Sequence, residues 1–199
     1  MKTPRSICAP IVLVCLTACS QSYSPPSSQN SISCRVGHGG NITYKLGGPS
    51  VEVEKAVDWI VSITGGEQNF TLHSASFSNG TPIAFACLAD QKRYIVYDRD
   101  YFYARSNRLL FSDISILSHE ILHHTAAHVS DIGESSWDNE LAADRFSGFI
   151  VASLGGSLDE AQSFAALLSE EGSKTHPSRS ERLEAVKKGW IMKRNHSAE

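Results

Sequence analysis

His119-Glu120-Ile121-Leu122-His123 sets two imidazoles four residues apart around a glutamate. On a helix that spacing puts both rings on one face, about 6 Å apart at the backbone, where they can share one zinc ion. Glu120 sits beside that face and can reach a metal-bound water as general base. A catalytic zinc takes three protein ligands and keeps a fourth position open. Glu140, opening Glu140-Leu141-Ala142-Ala143-Asp144, is the natural third ligand. The 16 residues between His123 and Glu140 contain a loop, residues 130–137, so the two helices can return antiparallel with Glu140 facing the histidines. Asp144 lies one turn further on the same face. It suits a supporting role, accepting a ring N–H from His119 or His123 and fixing the tautomer. The longer H-E-x-x-H-x-x-G-x-x-H pattern is excluded, because Ala126 and Val129 stand where its glycine and third histidine belong. His124 points about 100° away from the ligand face and is not expected to bind metal.

A third segment, Thr175-His176-Pro177-Ser178-Arg179-Ser180-Glu181-Arg182, completes an ordered set. H-E-x-x-H, then E-x-x-A-D, then T-H-P-x-x-x-E-R resembles the zinc metallopeptidases of the HtpX and CAAX-prenyl-protease type, the forty-eighth metallopeptidase family, of gluzincin class. The resemblance runs from about Ser50 to Gly189 and is closest to the small soluble or lipoprotein members without transmembrane helices. It implies a zincin-like domain in which a small β-sheet packs on the H-E-x-x-H and glutamate helices, with a helical C-terminal half. One zinc per chain would be held by His119, His123 and Glu140, with Glu120 activating water. His176 and Arg182 would stabilise the oxyanion near the metal or gate the site, and His128 would be structural. The family binds peptides along an edge strand with an N-A-x-A motif. Here the candidate is Ile83-Ala84-Phe85-Ala86, with isoleucine in place of asparagine. The implied activity is zinc-dependent endopeptidase action on envelope proteins or peptides. The alternatives are a latent or proteolytically inactive zinc lipoprotein acting as a chaperone-like assembly factor, and a zinc hydrolase of cell-wall amides.

The elements that must position these residues are readable in outline. Residues 50–63 carry Val53, Ala56, Val57, Ile60 and Val61, a helical apolar stripe stopped by Gly65-Gly66. Three β-like runs follow, 69–76, 82–89 and 93–97, with turns at Asn79-Gly80 and at Ala89-Asp90-Gln91. The second run is apolar almost throughout, as a strand covered on both faces would be. Ser112 or Asp113 starts a helix through about His128, and Asp138 starts another through about Leu154, closed by Gly155-Gly156. Ser157 with Glu160, and Ser178 with Glu181, form capping-box patterns opening two more helices. Strands first and helices afterwards argue for an α+β domain.

The beginning of the chain reads as an address. Lys2 and Arg5 precede an apolar run from Ile7 to Ala18, too short to span a bilayer and ending in Leu16-Thr17-Ala18-Cys19. That ending resembles the lipobox of bacterial lipoproteins, whose cysteine carries the lipid. Residues 1–18 are then a signal peptide, and 19–49 a lipidated tether and N-terminal segment. Residues 50–190 are the metallopeptidase domain, and 191–199 a C-terminal tail. The Ser/Pro/Gln-rich stretch 20–33 reads as a flexible tether with nothing to pack. Cys34 and Cys87 remain after processing, either as a disulfide or as two separate buried thiols. The expected location is the bacterial envelope, lipid-anchored on the outer membrane and facing the periplasm. A net charge of −3, a pI near 6.2 and no Lys/Arg run exclude an electrostatic footprint for nucleic acid.

Overall fold

A computed structural model describes residues 31–35, 41–77, 83–103, 109–128, 136–174 and 176–196. The expected signal peptide, Cys19, Asn79-Gly80, Thr175 and most of the 130–137 loop lie outside the described residues. The fold is mixed α+β, with small sheets and a helical C-terminal half.

Helix α1 spans Val51–Thr64. Ser50 Oγ accepts the Val53 N–H at 3.3 Å, and Gly65 ends the helix at φ 69°, a left-handed conformation glycine adopts without a Cβ clash. Val53, Val57, Ile60 and Val61 are its buried stripe. Strands β3 (Thr71–Ala75), β4 (Ala84–Ala89) and β5 (Lys92–Asp98) form a sheet ordered β3-β5-β4. β5 is central, parallel to β3 and antiparallel to β4. Asp90 and Gln91, at φ 48° and 61°, make the two-residue turn between β4 and β5, both left-handed as a type I′ hairpin requires. The strand expected to be covered on both faces is thus an outer one. It is apolar because both faces pack: Ala84 joins the core on the helix side, and Phe85 and Cys87 join the core on the other.

That other side holds a hairpin the tether reading did not contain, β1 (Ser31–Arg35) with β2 (Asn41–Lys45), paired antiparallel. Ile32, Cys34 and Tyr44 pack onto Phe85, Tyr94 and Val96, and Cys34 is disulfide-bonded to Cys87. Residues 31–33 are therefore a strand and not a tether, and the folded unit begins well before residue 50. The alternation Ser31-Ile32-Ser33-Cys34 is the half-buried strand pattern, overlooked because it continues a serine-rich run.

On the helix side α1 is joined by α2 (Arg99–Tyr103), α3 (Phe111–Thr125), α4 (Trp137–Ser153), α5 (Leu158–Gln162), a 3₁₀ turn (Ala165–Leu167) and α6 (Arg179–His196). Helix α3 starts before Asp113, which sits at its third position and accepts the Leu110 N–H at 2.8 Å. It ends at Thr125, short of His128, and Ala127 turns left-handed at φ 55°. Ser136, Ser157 and Ser178 begin α4, α5 and α6 with side-chain acceptors for backbone N–H groups. α6 continues through residues expected to form a tail, to His196. Among the described residues no helix is long and apolar enough to cross a membrane.

Two glycines set how closely α4 and α6 approach. A Cβ on Gly148 would stand 2.0 Å from the Val186 carbonyl oxygen, and one on Gly189 1.7 Å from that of Arg145. Only bare backbone fits at these contacts. The close crossing carries Arg182 of α6 onto Asp144 of α4, which is where the site's electrostatics are decided.

Candidate metal centre

Helices α3 and α4 bring His119, His123 and Glu140 together, all three buried, with one ligand atom from each within 4.8 Å of the others. His119 Nε2 and His123 Nε2 are 3.0 Å apart, and each lies 3.4 Å from an oxygen of Glu140. Donors about 2.0–2.1 Å from a tetrahedral ion stand about 3.4 Å from one another. The separations and the donor set, two imidazoles and one carboxylate, therefore fit a single divalent cation.

Asp144 organises this cluster. Its Oδ1 lies 3.0 Å from His119 Nδ1. Arg182 closes on it with two donors, Nε to Oδ2 at 2.7 Å and Nη2 to Oδ1 at 2.8 Å. Burial would raise the Asp144 carboxyl, but these hydrogen bonds and charges hold it below the usual carboxylate range. An ionised Asp144 only accepts, so His119 donates through Nδ1–H and turns Nε2 towards Glu140 and His123. Burial pushes His119 down, yet Asp144 and Glu140 overturn that and raise it to about 10. Positive charge is stabilised at this point. Three carboxylates, Glu120, Glu140 and Asp144, face the guanidinium of Arg182, and a metal cation meets the same electrostatic demand as a proton.

Glu120 stands on α3 between the two histidines, and its Oε2 accepts the backbone N–H of Ala86 on β4 at 2.8 Å. Burial raises its carboxyl to about 7, with Glu140 pushing the same way, and His119, Ala86 and Arg182 oppose the rise. A carboxyl in that range can both take and return a proton near neutral pH.

His176 is the half-exposed member, its Nε2 3.7 Å from Glu140 Oε2. Burial lowers its imidazole. The turn that carries it is closed by Ser173 N–H to His176 O at 2.7 Å and His176 N–H to Ser173 Oγ at 3.0 Å. Arg182 is buried, its guanidinium 3.8 Å from Glu140 but hydrogen-bonded to Asp144. The structure places both Arg182 and His176 within 4.0 Å of Glu140, Arg182 as a partner of carboxylates and His176 on the exposed side. His124 faces away from the cluster: its Nε2 is 2.8 Å from the Tyr94 carbonyl and its ring stacks on Phe70 at 5.5 Å. His128 lies edge-on to His123, ring centroids 5.5 Å apart.

His119, Glu120 and Glu140 line a cleft of about 470 Å³. Sequence reasoning did not find the Ala86 amide on Glu120, the fork of Arg182 on Asp144, or the apolar residues Ile116, Phe164 and Leu168 that line the same cleft. A backbone donor leaves no signal in residue type, and the Asp144–Arg182 partners are 38 positions apart. No protein-family model matches this chain and no curated protein sequence matches it, so the chemistry of the site rests on its own residues.

Proposed function

We propose that this chain is a zinc-dependent endopeptidase with a zincin-like domain of the HtpX type, lipid-anchored in the bacterial envelope. The observation that carries the reading is the convergence of His119, His123 and Glu140, with His119, Glu120 and Glu140 lining an open cleft. His119, His123 and Glu140 would hold the zinc. When bound there, zinc supplies Lewis-acid polarisation of a peptide carbonyl and favours deprotonation of water.

The chain's own residues account for the proton chemistry. Glu120, held by the Ala86 N–H, takes a proton from water on one oxygen and passes it to the nitrogen of the scissile bond. The carbonyl carbon gains the water oxygen as the C–N bond breaks, so the products are a carboxylate and an amine. His176, which lines the cleft and stands 3.7 Å from Glu140, is suited to steadying charge on the carbonyl oxygen. Arg182 acts through Asp144: its fork holds the carboxylate that holds His119. The Cys34–Cys87 disulfide supports an oxidising location, in keeping with export and with lipidation at Cys19.

Metal analysis of the purified protein is the first test. About one zinc per chain is expected in wild type, with affinity weakened more than about 100-fold in Glu140→Ala. Zinc absent from folded wild-type protein would end the proposal. Glu120→Gln should retain zinc while peptide hydrolysis falls about 100- to 10,000-fold. If Glu120→Gln instead kept full activity, hydrolysis would have to proceed without the glutamate base.

A further inference from the structure

Helix α6 buries one side and leaves the other uncovered. Its buried residues are Arg182, Ala185, Val186 and Gly189, on the side that meets α4. At about 100° per residue, Lys187, Lys188, Ile191, Met192 and Arg194 fall within an arc of about 160° on the other side, and all five are exposed. Ile191 and Met192 are 39% and 42% exposed, two large apolar side chains with cations before and after them. Between Lys187 and His196 the helix holds four cations and no carboxylate, in a chain whose net charge is −3. The carboxylates of α6, Glu181 and Glu184, come earlier, and Glu181 is engaged by Ser178 at the helix start. Arg194 lies over the Trp190 ring, 5.3 Å from its centroid, and Lys193 stands 5.9 Å from that of Phe149. The helix dipole accounts for cations in the last turn. It does not account for Lys187 and Lys188 two turns before Arg194, nor for two exposed apolar side chains between them.

From this we infer that the last three turns of α6 are a docking face for the surface of an anionic phospholipid bilayer. Lys187, Lys188 and Arg194 meet the headgroup phosphates, and Ile191 and Met192 enter the boundary beneath them. Nucleic acid also offers phosphates, but it gives the two apolar side chains no layer to enter. Each cation near an anionic surface is worth about a fivefold change in partition. A few cations with two shallow apolar side chains therefore make a reversible contact. None of residues 187–196 lines the metal cleft, so the contact leaves that cleft uncovered. The inference concerns α6 alone and needs neither peptide hydrolysis nor a lipid at Cys19. Where such a lipid tethers the chain, α6 decides which side of the domain faces the bilayer.

The experiment is acetylation footprinting of the full chain, read lysine by lysine by mass spectrometry. It compares vesicles of phosphatidylglycerol and phosphatidylethanolamine with vesicles of phosphatidylcholine. Lys55, exposed on α1, is the internal reference. On the anionic vesicles Lys187 and Lys188 should react about tenfold more slowly than without vesicles, while Lys55 changes less than about twofold. Phosphatidylcholine should give no such protection, and about 1 M salt, which shortens the Debye length to about 3 Å, should abolish it. Lys188→Glu should reduce the protection of Lys187 about fivefold, and Ile191→Ser combined with Met192→Ser by a similar factor. All three positions are exposed, so the variants keep the fold. Lys187 as reactive as Lys55 on anionic vesicles, or protection that persists on phosphatidylcholine or in high salt, overturns the docking face. Protection without vesicles that grows with protein concentration would make this face a contact between two copies, and would overturn it as well. The mass of the N-terminal peptide reports lipid on Cys19 separately, so failure of the anchor and failure of the docking face are told apart.

Discussion

His123 and His124 are neighbours in sequence and opposites in environment. His123 turns towards the ligand cluster, edge-on to His119 and 3.4 Å from Glu140. His124 turns into the sheet, fully buried, its Nε2–H donating to the Tyr94 carbonyl while the Phe70 ring covers one face. Its Nδ1 is buried without a hydrogen-bond partner and stays unprotonated. One face of α3 therefore stabilises positive charge and the other requires neutrality. A histidine's residue type decides neither role; its position around the helix does, because that position chooses between Glu140 and a strand carbonyl.

The contrast is broken most forcefully on the cleft side. Arg182→Met leaves Asp144 and Glu140 buried without their guanidinium, which should cost about 3–5 kcal/mol in urea unfolding of the metal-free protein. Added zinc should recover part of that loss. An effect under about 1 kcal/mol would mean Arg182 is not the counter-charge its fork suggests.

On the sheet side the lever is pH. Burial, with Arg93 nearby, lowers His124 to about 4 against the Tyr94 hydrogen bond. The unfolded chain takes up that proton near pH 6.5, so protons favour unfolding. The contribution is present above about pH 6.5 and is lost as pH falls towards 4. With chelator present, His124→Gln should remove about 2 kcal/mol of the stability lost between pH 7 and pH 5, read as the difference between urea midpoints of the two proteins. Identical pH dependence in both would locate the acid sensitivity elsewhere.

The smallest change sharpens the comparison. Asp144→Asn keeps an oxygen for the His119 N–H but removes the charge that favours a cation. Zinc affinity should fall about tenfold, measured by competition with a chromogenic chelator. Fold stability at neutral pH should change less than it does in Arg182→Met.

The ligand triad was legible because periodicity alone carries His119 and His123 to one face, and a short connection returns Glu140 against them. α1 was legible for a similar reason, its stripe and both ends being local. The β1–β2 hairpin was not. Its stability comes from Phe85, Tyr94 and Val96, more than 40 residues on, and its first residues share the composition of the stretch before them. The start of α3 was misjudged because an acidic residue serves equally well as the cap or two to three positions inside it. Arg182 could be placed near the metal by resemblance. What it grips depends on two glycines that let α4 and α6 touch, and sequence patterning does not report interhelical distance.

Outer strands are the parts of a sheet most prone to slide, and β4 carries the amide that steadies Glu120. Cys87, the very next residue, is covalently joined to the hairpin across the sheet. A slip of one residue would turn Cys87 to the wrong face, and a slip of two would offer Glu120 the amide of Ala84 or Leu88 instead. The covalent link forbids both. The disulfide thus works as a registration pin, keeping one amide opposite one carboxylate through every fluctuation short of unfolding.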